Sequence, residues 1–474
     1  MKPRPRIRGS TVFRFTIPAG LLGLILCAVP VRSEPNAAAP PPEQPILTLN
    51  AAVQWALKSN PALATFRRNR GIAEAAVQIA RQYPFNPIIQ HYMWGDWGPA
   101  AAGVTNHFFQ EHTSRLDLEI NGQGKYRRAA ARAALTRTEW EIAAQELLTS
   151  ITLVRAFNTS IYRQGKYRLL EEAARLTEDI AASTKQLVEN GTLRSADLLL
   201  ARADVVEARN ALGPARGVMI VAENDLRRSL GIIGEPFQLQ GTLEKDVVLP
   251  DPLFLTQAAL ERRPDLHGFE IAVREAENRL RFEIANRWGN PSLGPSGEVN
   301  ETSVGFVGLW LIWQAPIINT RKGEIRQRQA ELARAAQAVH QSEIQVRQDV
   351  MASWARLTQA KQVVKNFRTD TLPTLRKTLQ EFDKLYLAGQ PGVDLSRLIS
   401  IRRRLLTARD AYLDALWELS QAQTDLAAAV ADLSFAGCRA APPESEGEQL
   451  NQPSPTQQPS NGEELPPPMP VPGK

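Results

Sequence analysis

Three neighbouring histidines are the residues best suited to metal chemistry in this 474-residue chain. His91, His107 and His112 lie within 22 residues, and imidazole is the commonest protein ligand for transition metals. A segment containing Gly, Asn and aromatic residues, from about 98 to 112, is typical of a surface loop and includes two of them. We therefore interpret them as solvated loop residues, and we assign no metal site and no cofactor.

Motifs for nucleotide binding and catalysis are missing from the sequence. Gly122-Gln123-Gly124-Lys125 lacks the first glycine and the following Ser or Thr of a phosphate-binding loop. There is no His-Glu-x-x-His motif and no Gly-x-Ser-x-Gly elbow. Carboxylates are abundant but fall on predicted solvated helix faces, without a nucleophile, a base and an orienting group together. We predict that the protein is not an enzyme.

The charge of the chain is balanced once its N-terminus is set aside. There are 56 Lys and Arg residues against 50 Asp and Glu residues. Residues 1–33 hold six of the basic side chains and no acidic one, which leaves 50 of each sign in the remainder. Nucleic-acid binding needs a basic surplus or patch, so we expect no nucleic-acid partner.

The N-terminus predicts a secretory signal peptide over residues 1–33. A basic stretch precedes an apolar run from Ile17 to Val31, and cleavage is expected before Glu34. A competing interpretation makes Cys27 a lipid-acceptor cysteine, although Leu26 is large for the position before it. No other stretch approaches 18 consecutive apolar residues, so we expect no transmembrane helix and, with Cys438 the only other cysteine, no internal disulfide.

The rest of the chain repeats one plan. Asn60-Pro61-Ala62-Leu63 and Asn86-Pro87 recur as Arg263-Pro264-Asp265-Leu266 and Asn290-Pro291, at offsets of 203 and 204 residues. We predict six segments, which are a signal peptide (1–33), a flexible leader (34–46), a first repeat (47–230), a linker or equatorial segment (231–252), a second repeat (253–436) and a disordered Pro-rich tail (437–474).

Each repeat is predicted to run helix, strand, strand, long helices. Helix is expected from Leu47 to about Arg81, and strands within 88–120 and over Val304–Trp313. Leu116, Leu118 and Ile120 alternate with charged residues, as in a strand with one apolar face.

Long helices are predicted from Lys125 to about Glu189 and from Gly323 to Leu387. We expect Pro373 to kink the second, and Gly213-Pro214 to kink or break a later helix of the first repeat. Residues spaced by seven form coiled-coil seams with alanines three positions later. These seam residues are Leu198, Val205, Leu212, Met219 and Leu226 in the first repeat, and Leu405, Tyr412, Leu419, Leu426 and Leu433 in the second.

Four strands per chain cannot close a barrel, and open sheet edges are not tolerated in lipid. Spanning strands must therefore be pooled between subunits. Two chains would give eight strands with a filled interior, whereas three would give twelve strands around a lumen. The alternative is a secreted periplasmic coiled-coil scaffold or adaptor without a pore. The conduit predicts that Leu116, Leu118, Ile120 and alternate residues of Val304–Trp313 face lipid, whereas the scaffold predicts that they face a soluble core.

With this plan, the sequence resembles the TolC family of outer-membrane efflux proteins over roughly residues 47–436. The matching residues are Leu47-Thr48-Leu49, Ala56-Leu57 and the Pro-x-Leu and Asn-Pro steps of both repeats. Ala315-Pro316-Ile317-Ile318-Asn319, leading into Gly323-Glu324-Ile325, is similar to the strand-to-helix junction of heavy-metal-efflux members.

The resemblance implies an α+β membrane protein with a duplicated helix-strand-strand-helix. It would be a homotrimer with a twelve-stranded β-barrel continued by a long α-helical periplasmic barrel. Such a protein is the passive exit duct of a tripartite efflux or type I secretion system. It lies in the outer membrane, mostly within the periplasm, and its partners are a periplasmic adaptor protein and an inner-membrane pump. The cargo can be small molecules, metal ions or polypeptides.

The family places its periplasmic gate at two helix–helix turns. By resemblance, Gly191, Asp197, Tyr386 and Gly389 belong to the gate, and Asp394 would face the lumen at the entrance. Gln390-Pro391-Gly392 replaces the expected gating arginine, and Arg397 stands in place of a second lumenal acid. The alternative is that Tyr386 is simply a turn aromatic and Asp394 a helix N-cap.

Overall fold

The computed structural model describes residues 45–96, 107–191, 194–234, 236–245, 247–300, 304–387 and 395–438. These residues belong to one compact unit. The predicted signal peptide, Gly389, Asp394, the Gln390-Pro391-Gly392 turn and the tail beyond residue 438 lie outside the described residues.

Both halves of the chain contain the predicted order of helix, strand, strand and helix. The elements of the first half are β1 (Ile46–Thr48), α1 (Leu49–Ser59), α2 (Pro61–Arg67), α3 (Asn69–Arg81), β2 (Ile88–Asp96), β3 (His107–Asp117), α4 (Gln123–Glu189) and α5 (Ser195–Leu230). Those of the second half are β4 (Gln238–Gln240), α6 (Pro252–Arg262), α7 (Pro264–Asn286), β5 (Ser292–Val299), β6 (Gly305–Ile312), α8 (Lys322–Asn366), a π turn (Phe367–Thr371), α9 (Leu372–Leu387), α10 (Leu395–Val430) and a short 3-10 helix (Leu433–Ala436).

The first predicted helix is wrong in its extent. Leu47 lies in β1, which pairs in parallel with β4, so the strand also takes Ile46 from the predicted leader. The remaining helix is divided at Asn60 and Arg68. Asn60 ends α1 and caps α2, because its Oδ1 accepts hydrogen bonds from the backbone N–H groups of Ala62 and Leu63 at 2.9 and 3.1 Å.

The duplicated Pro-x-Leu step begins the second helix of each repeat. Pro61 and Pro264 occupy the first helical position, where a missing N–H costs nothing. Leu63 and Leu266, two residues later, are fully buried. The residue before each proline differs in chemistry. Asn60 caps its helix, whereas Arg263 binds Asp265 at 2.7 Å and Asp349 of α8 at 3.2 Å.

The four long strands form one antiparallel sheet in the order β2-β3-β5-β6. Each repeat supplies one hairpin, and the hairpins join through β3 and β5. The predicted strand run to Ile120 is too long, because β3 ends at Asp117. Beyond it, the backbone N–H of Leu118 still donates to the carbonyl of Pro291 at 2.8 Å.

The long helices are continuous over most of their predicted length. With 67 residues, α4 spans roughly 100 Å. The irregularity predicted at Pro373 takes the form of the π turn that precedes it, where a widened turn relieves the clash of the proline ring with the preceding backbone. A break at Pro214 is wrong, because α5 runs through it, and packing along α4 offsets the lost hydrogen bond. None of the described helices is long and apolar enough to cross a membrane.

The core consists of two related clusters in which the short helices pack on the long ones. Ala56 of α1 and Ala259 of α6, which lie 203 residues apart, have no exposed surface. The first cluster includes Leu153 and Phe157 of α4, and the second includes Val350 of α8. The predicted disordered tail begins too early, because the side chain of Cys438 is buried in the first cluster.

We expect Leu63→Ala and Leu266→Ala to destabilise the protein to a similar degree. Each removes a fully buried leucine from the same place in its repeat, at a cost of about 2–5 kcal/mol. Denaturant unfolding would measure both, with the exposed Leu199→Ala as the control. A neutral result for either buried leucine would contradict the equivalence of the two sites.

Candidate functional site

The sheet has two faces of different chemistry, as its register shows. Residues directly opposite each other in an antiparallel pair share a face. One face, here called the apolar face, carries mainly aliphatic and apolar side chains, which are Ile89, Met93, Phe108, Leu116, Leu293, Pro295, Val299, Val307, Leu309 and Leu311. The polar exceptions on it are His91, Gln110, His112 and Ser114.

The opposite face, here called the polar face, carries charged and hydroxyl side chains together with aromatic rings. These residues are Gln90, Tyr92, Trp94, Phe109, Glu111, Thr113, Arg115, Asp117, Ser292, Ser296, Glu298, Phe306 and Trp310. The aliphatic exceptions on it are Ile88 and Ile312, at one end of the sheet. The ring of Trp94 stacks on that of Phe109 with centroids 4.1 Å apart. A sheet with this division can separate an apolar medium from an aqueous one.

The apolar face is uncovered in a single copy of the chain. Ile89, Val307 and Leu309 expose 78%, 94% and 71% of their surfaces. Monomeric soluble proteins rarely leave contiguous apolar patches of this kind in water, so a lipid or protein surface is expected to cover it.

The two outer strands leave backbone groups without partners. Among the described residues, β2 pairs only with β3, and β6 only with β5. The free N–H and C=O groups along these edges can be satisfied by water or by another strand.

Two of the three histidines are paired across the sheet. His91 and His112 lie opposite each other in β2 and β3, with their Nδ1 atoms 2.6 Å apart and their rings stacked at 3.8 Å. Our interpretation of solvated loop residues is therefore wrong for His112, and β3 also includes His107, whose side chain lies outside the described residues. The described part of the chain contains no group of three or more metal-ligating side chains.

Four of the residues predicted at the gate and entrance, Gly191, Asp197, Tyr386 and Arg397, are described and lie at the far end of the long helices. Gly191 follows α4 with φ of 76°, a left-handed conformation that favours glycine. Asp197 accepts a hydrogen bond from the backbone N–H of Arg194 at 3.2 Å, so it caps α5. Tyr386 is in the last turn of α9, although its side chain lies outside the described residues, and Arg397 is exposed in the first turn of α10. Their role in a gate stays a prediction.

A groove of about 880 Å³ separates α5 from α10 near this end and also touches α4. Asp197, Leu200 and Arg404 contribute to its lining. Across it, Arg403 Nη2 of α10 lies 2.8 Å from Asp204 Oδ2 of α5. Sequence reasoning missed this ion pair, since its members are 199 residues apart and belong to different repeats.

Further along the helices, a polar network ties the two repeats together. The hydroxyl of Tyr162 in α4 donates to Asp414 of α10 at 2.6 Å, and Lys166 lies 2.6 Å from Asp410 and 2.8 Å from Asp414. Burial, followed by the bond to Asp414, raises the pKa of Tyr162 to about 12. Burial alone would lower the pKa of Lys166, but its two carboxylate partners outweigh burial and raise it. The network keeps these helices in a fixed register.

One stripe of α10 shows which way its side chains point. Residues 397, 404, 411, 418 and 425 repeat every seven positions and therefore share one side of the helix. Helix α6 packs on a different side, in the cluster that contains Leu419 and Leu426. Asp425 instead bonds to Arg155 of α4 at 2.7 Å, and it also contacts Arg356 of α8. The stripe therefore lies on a different side of α10 from the one that packs against α6.

Known proteins share this architecture at low sequence identity. The sequence matches no protein-family model and no curated protein. Among solved structures, the chain is similar to the outer membrane channel CmeC of Campylobacter jejuni, with 14% identity, a TM-score of 0.65 and coverage of 82% of this chain and 85% of CmeC.

Two further channel structures agree. The open-state outer membrane channel MtrE of Neisseria gonorrhoeae has 16% identity and a TM-score of 0.64, with 81% of this chain and 89% of MtrE covered. CusC, described in terms of transmembrane channel formation, has 20% identity and a TM-score of 0.62, with 81% and 91% covered. The chain has the fold of these outer-membrane channels, as the resemblance to the TolC family predicts.

Proposed function

We propose that the protein is an outer-membrane channel, the exit duct of a tripartite efflux or type I secretion system. It conducts small molecules, metal ions or polypeptides passively, and it is not an enzyme. One observation carries the proposal, namely a sheet with an apolar face, a polar face and two unpaired edges, attached to long helices of which α4 spans roughly 100 Å. A scaffold in water would leave the apolar face exposed at a cost, which favours the duct.

The duplication supports assembly into a closed ring. With repeats at 47–230 and 253–436, the first contacts the second through β3 with β5 and through α4 with α7. The equivalent contacts of the second repeat are β6 with a next β2, and α8 with a next α3. These can form only with another copy, because the described residues of one chain leave β2 and β6 at the sheet edges.

Three copies fit the sheet best. Eight strands from two copies would enclose an interior that side chains fill, and the polar face already carries Trp94, Phe109 and Trp310. Twelve strands from three copies leave a lumen lined by the polar face. The strands have eight to eleven residues, close to the length that a tilted strand needs to cross a bilayer.

The helical part would continue the barrel into the periplasm. We propose that a periplasmic adaptor protein and an inner-membrane pump are the partners at its far end, and that the pump supplies the energy. In this arrangement α1 and α6 lie outside the tube, so the stripe of α10 that includes Arg397 and Arg404 faces the lumen. Arg397 stands where the resemblance leads us to expect an acidic residue, and its positive charge weakens any preference for cations at the entrance.

The gate is proposed at the turns, with Gly191, Asp197, Tyr386 and Gly389 holding the tip and Asp394 at the entrance. The hydrogen bond of Asp197 lies within its own helix cap, so we propose a second contact between the two helical hairpins. The Arg403–Asp204 pair is suited to this role because it links α10 to α5 close to the turns. Asp204 lies nine residues after the start of α5, and Arg403 lies eight residues after the start of α10.

Arg397→Asp is expected to shift the closed channel toward cations. Three carboxylates would replace three guanidinium groups near the axis, which should raise the cation-to-anion permeability ratio on the order of tenfold at low salt. Single-channel recordings in planar bilayers under a salt gradient would measure it. Lys58→Asp, on the exposed side of α1, is the control. A protein that forms no pore contradicts the duct, whereas unchanged selectivity removes Arg397 from the lumen.

Charge reversal at the Arg403–Asp204 pair should loosen the closed tip. The pair is exposed, so each single change costs at most about 1 kcal/mol, and the combined Asp204→Arg and Arg403→Asp protein should recover the closed-state conductance. The control is Arg209 with Glu178, which are 2.7 Å apart within one hairpin. If reversing the control pair opens the tip as much as reversing Arg403 and Asp204, the pair is not a link between hairpins.

Aspartates on the free side of α3 should weaken the assembly. Ile72 and Ile79, seven residues apart, expose 69% and 67% of their surfaces on the side proposed to meet α8 of the next copy. Each buried isoleucine contributes about 1.5–3 kcal/mol, so Ile72→Asp with Ile79→Asp should dissociate the complex in light scattering at micromolar concentration. Ile233→Asp, in the linker, serves as the control. An intact assembly would exclude this side of α3 from the interface.

A further inference from the structure

We propose that the segments joining each hairpin to its long helix are embedded in the inner leaflet of the bilayer that the sheet spans. Here they are called the rim segments, residues 118–122 and 313–321. Their partner is phospholipid, with Ile120, Ile317 and Ile318 among the acyl chains. The inference rests on the proposed function, because it needs the sheet to cross a membrane.

The rim segments expose large apolar side chains without cover. Ile120, Ile317 and Ile318 expose 58%, 84% and 98% of their surfaces. Both segments end at a left-handed residue that starts a long helix, Gly122 with φ of 74° before α4 and Arg321 with φ of 52° before α8. The two segments are thus the same corner of the fold, seen once in each repeat.

Comparing the two rim segments shows whether a neighbouring repeat would cover them. The first rim segment already has the second repeat beside it, because β3 pairs with β5 and Leu118 bonds to Pro291. Ile120 nevertheless stays more than half exposed. A neighbouring repeat therefore does not cover this corner, and a second copy placed next to β6 in the same way would leave Ile318 exposed as well.

The first rim segment continues the apolar face through Leu118, two residues before the exposed Ile120. Leu116 lies on that face, and the ladder extends past the end of β3 through the 2.8 Å bond from Leu118 N–H to the carbonyl of Pro291. This bond places Leu118 opposite Pro291 in the same register as Leu116 opposite Leu293, so Leu118 lies on the same face as Leu116. The apolar band thus reaches below the last strand residue.

Two tryptophans mark the boundary with water. The indole N–H of Trp313 donates to the backbone carbonyl of Trp288 at 2.9 Å, and both rings are about half exposed. Arg287 lies over the Trp288 ring, 5.8 Å from its centroid. Half-exposed tryptophans, one of them with its indole N–H bonded, next to a basic side chain are typical of the membrane interface.

The test uses nitroxide labels on the full-length protein in vesicles of phosphatidylethanolamine and phosphatidylglycerol. Labels at Ile120→Cys and Ile318→Cys would be probed by collision with oxygen, which concentrates in lipid, and with a nickel chelate, which stays in water. We expect oxygen collisions to dominate at both. Leu309→Cys on the apolar face is the lipid control, and Val248→Cys, 87% exposed in the linker, is the aqueous control. The unlabelled parent verifies that buried Cys438 does not react.

Each outcome decides the inference. Oxygen-dominated collisions at residues 120 and 318 support it. Nickel collisions at residue 318 as frequent as at Val248→Cys overturn it, with the rim in water. Shielding of residue 318 from both reagents also overturns it, with the rim buried between copies. If Leu309→Cys is itself aqueous, the sheet does not span a membrane and the proposed duct fails as well.

Discussion

The unpaired edges of the four-stranded sheet are the constraint on which the rest of the structure depends. Backbone N–H and C=O groups cannot remain unpaired in hydrocarbon, where each costs several kcal/mol. Strands β2 and β6 have such edges in one chain, and the apolar face between them is exposed. In the proposed membrane setting, only pairing between copies satisfies these groups. The oligomer is then a requirement of the sheet itself.

The duplication offers a simple solution to that requirement. In the proposed ring, each repeat meets the next through the same surfaces, so the contacts between the two repeats of one chain specify the contacts between chains. The likeness of the two repeats extends to the helices away from the sheet. Ala56 of α1 and Ala259 of α6 fill equivalent buried positions 203 residues apart. Polar links between repeats, such as Tyr162 with Asp414 and Arg403 with Asp204, hold the helices in register where the apolar seams alone permit sliding.

Local sequence signals predicted much of this fold, and long-range contacts account for most of what they missed. The Pro-x-Leu steps, the two strands of each repeat and the lengths of α4 and β6 follow from breakers and periodicity. Leu47 was misassigned because its strand depends on a partner at β4, and α5 continues through Pro214 because α4 supports it. His112 was assigned to a loop because its opposite neighbour, His91, is visible only in the register. The Arg403–Asp204 pair has no local signal, and the gate residues stay predictions.

The most direct test of the central claim is an electron cryomicroscopy structure of the protein extracted by detergent from the outer membrane. The account predicts three copies, with β6 of each hydrogen-bonded to β2 of the next in a closed twelve-stranded barrel, and α3 packed against α8 of its neighbour. A monomer with both sheet edges free, or an assembly in which these strands do not meet, would contradict it.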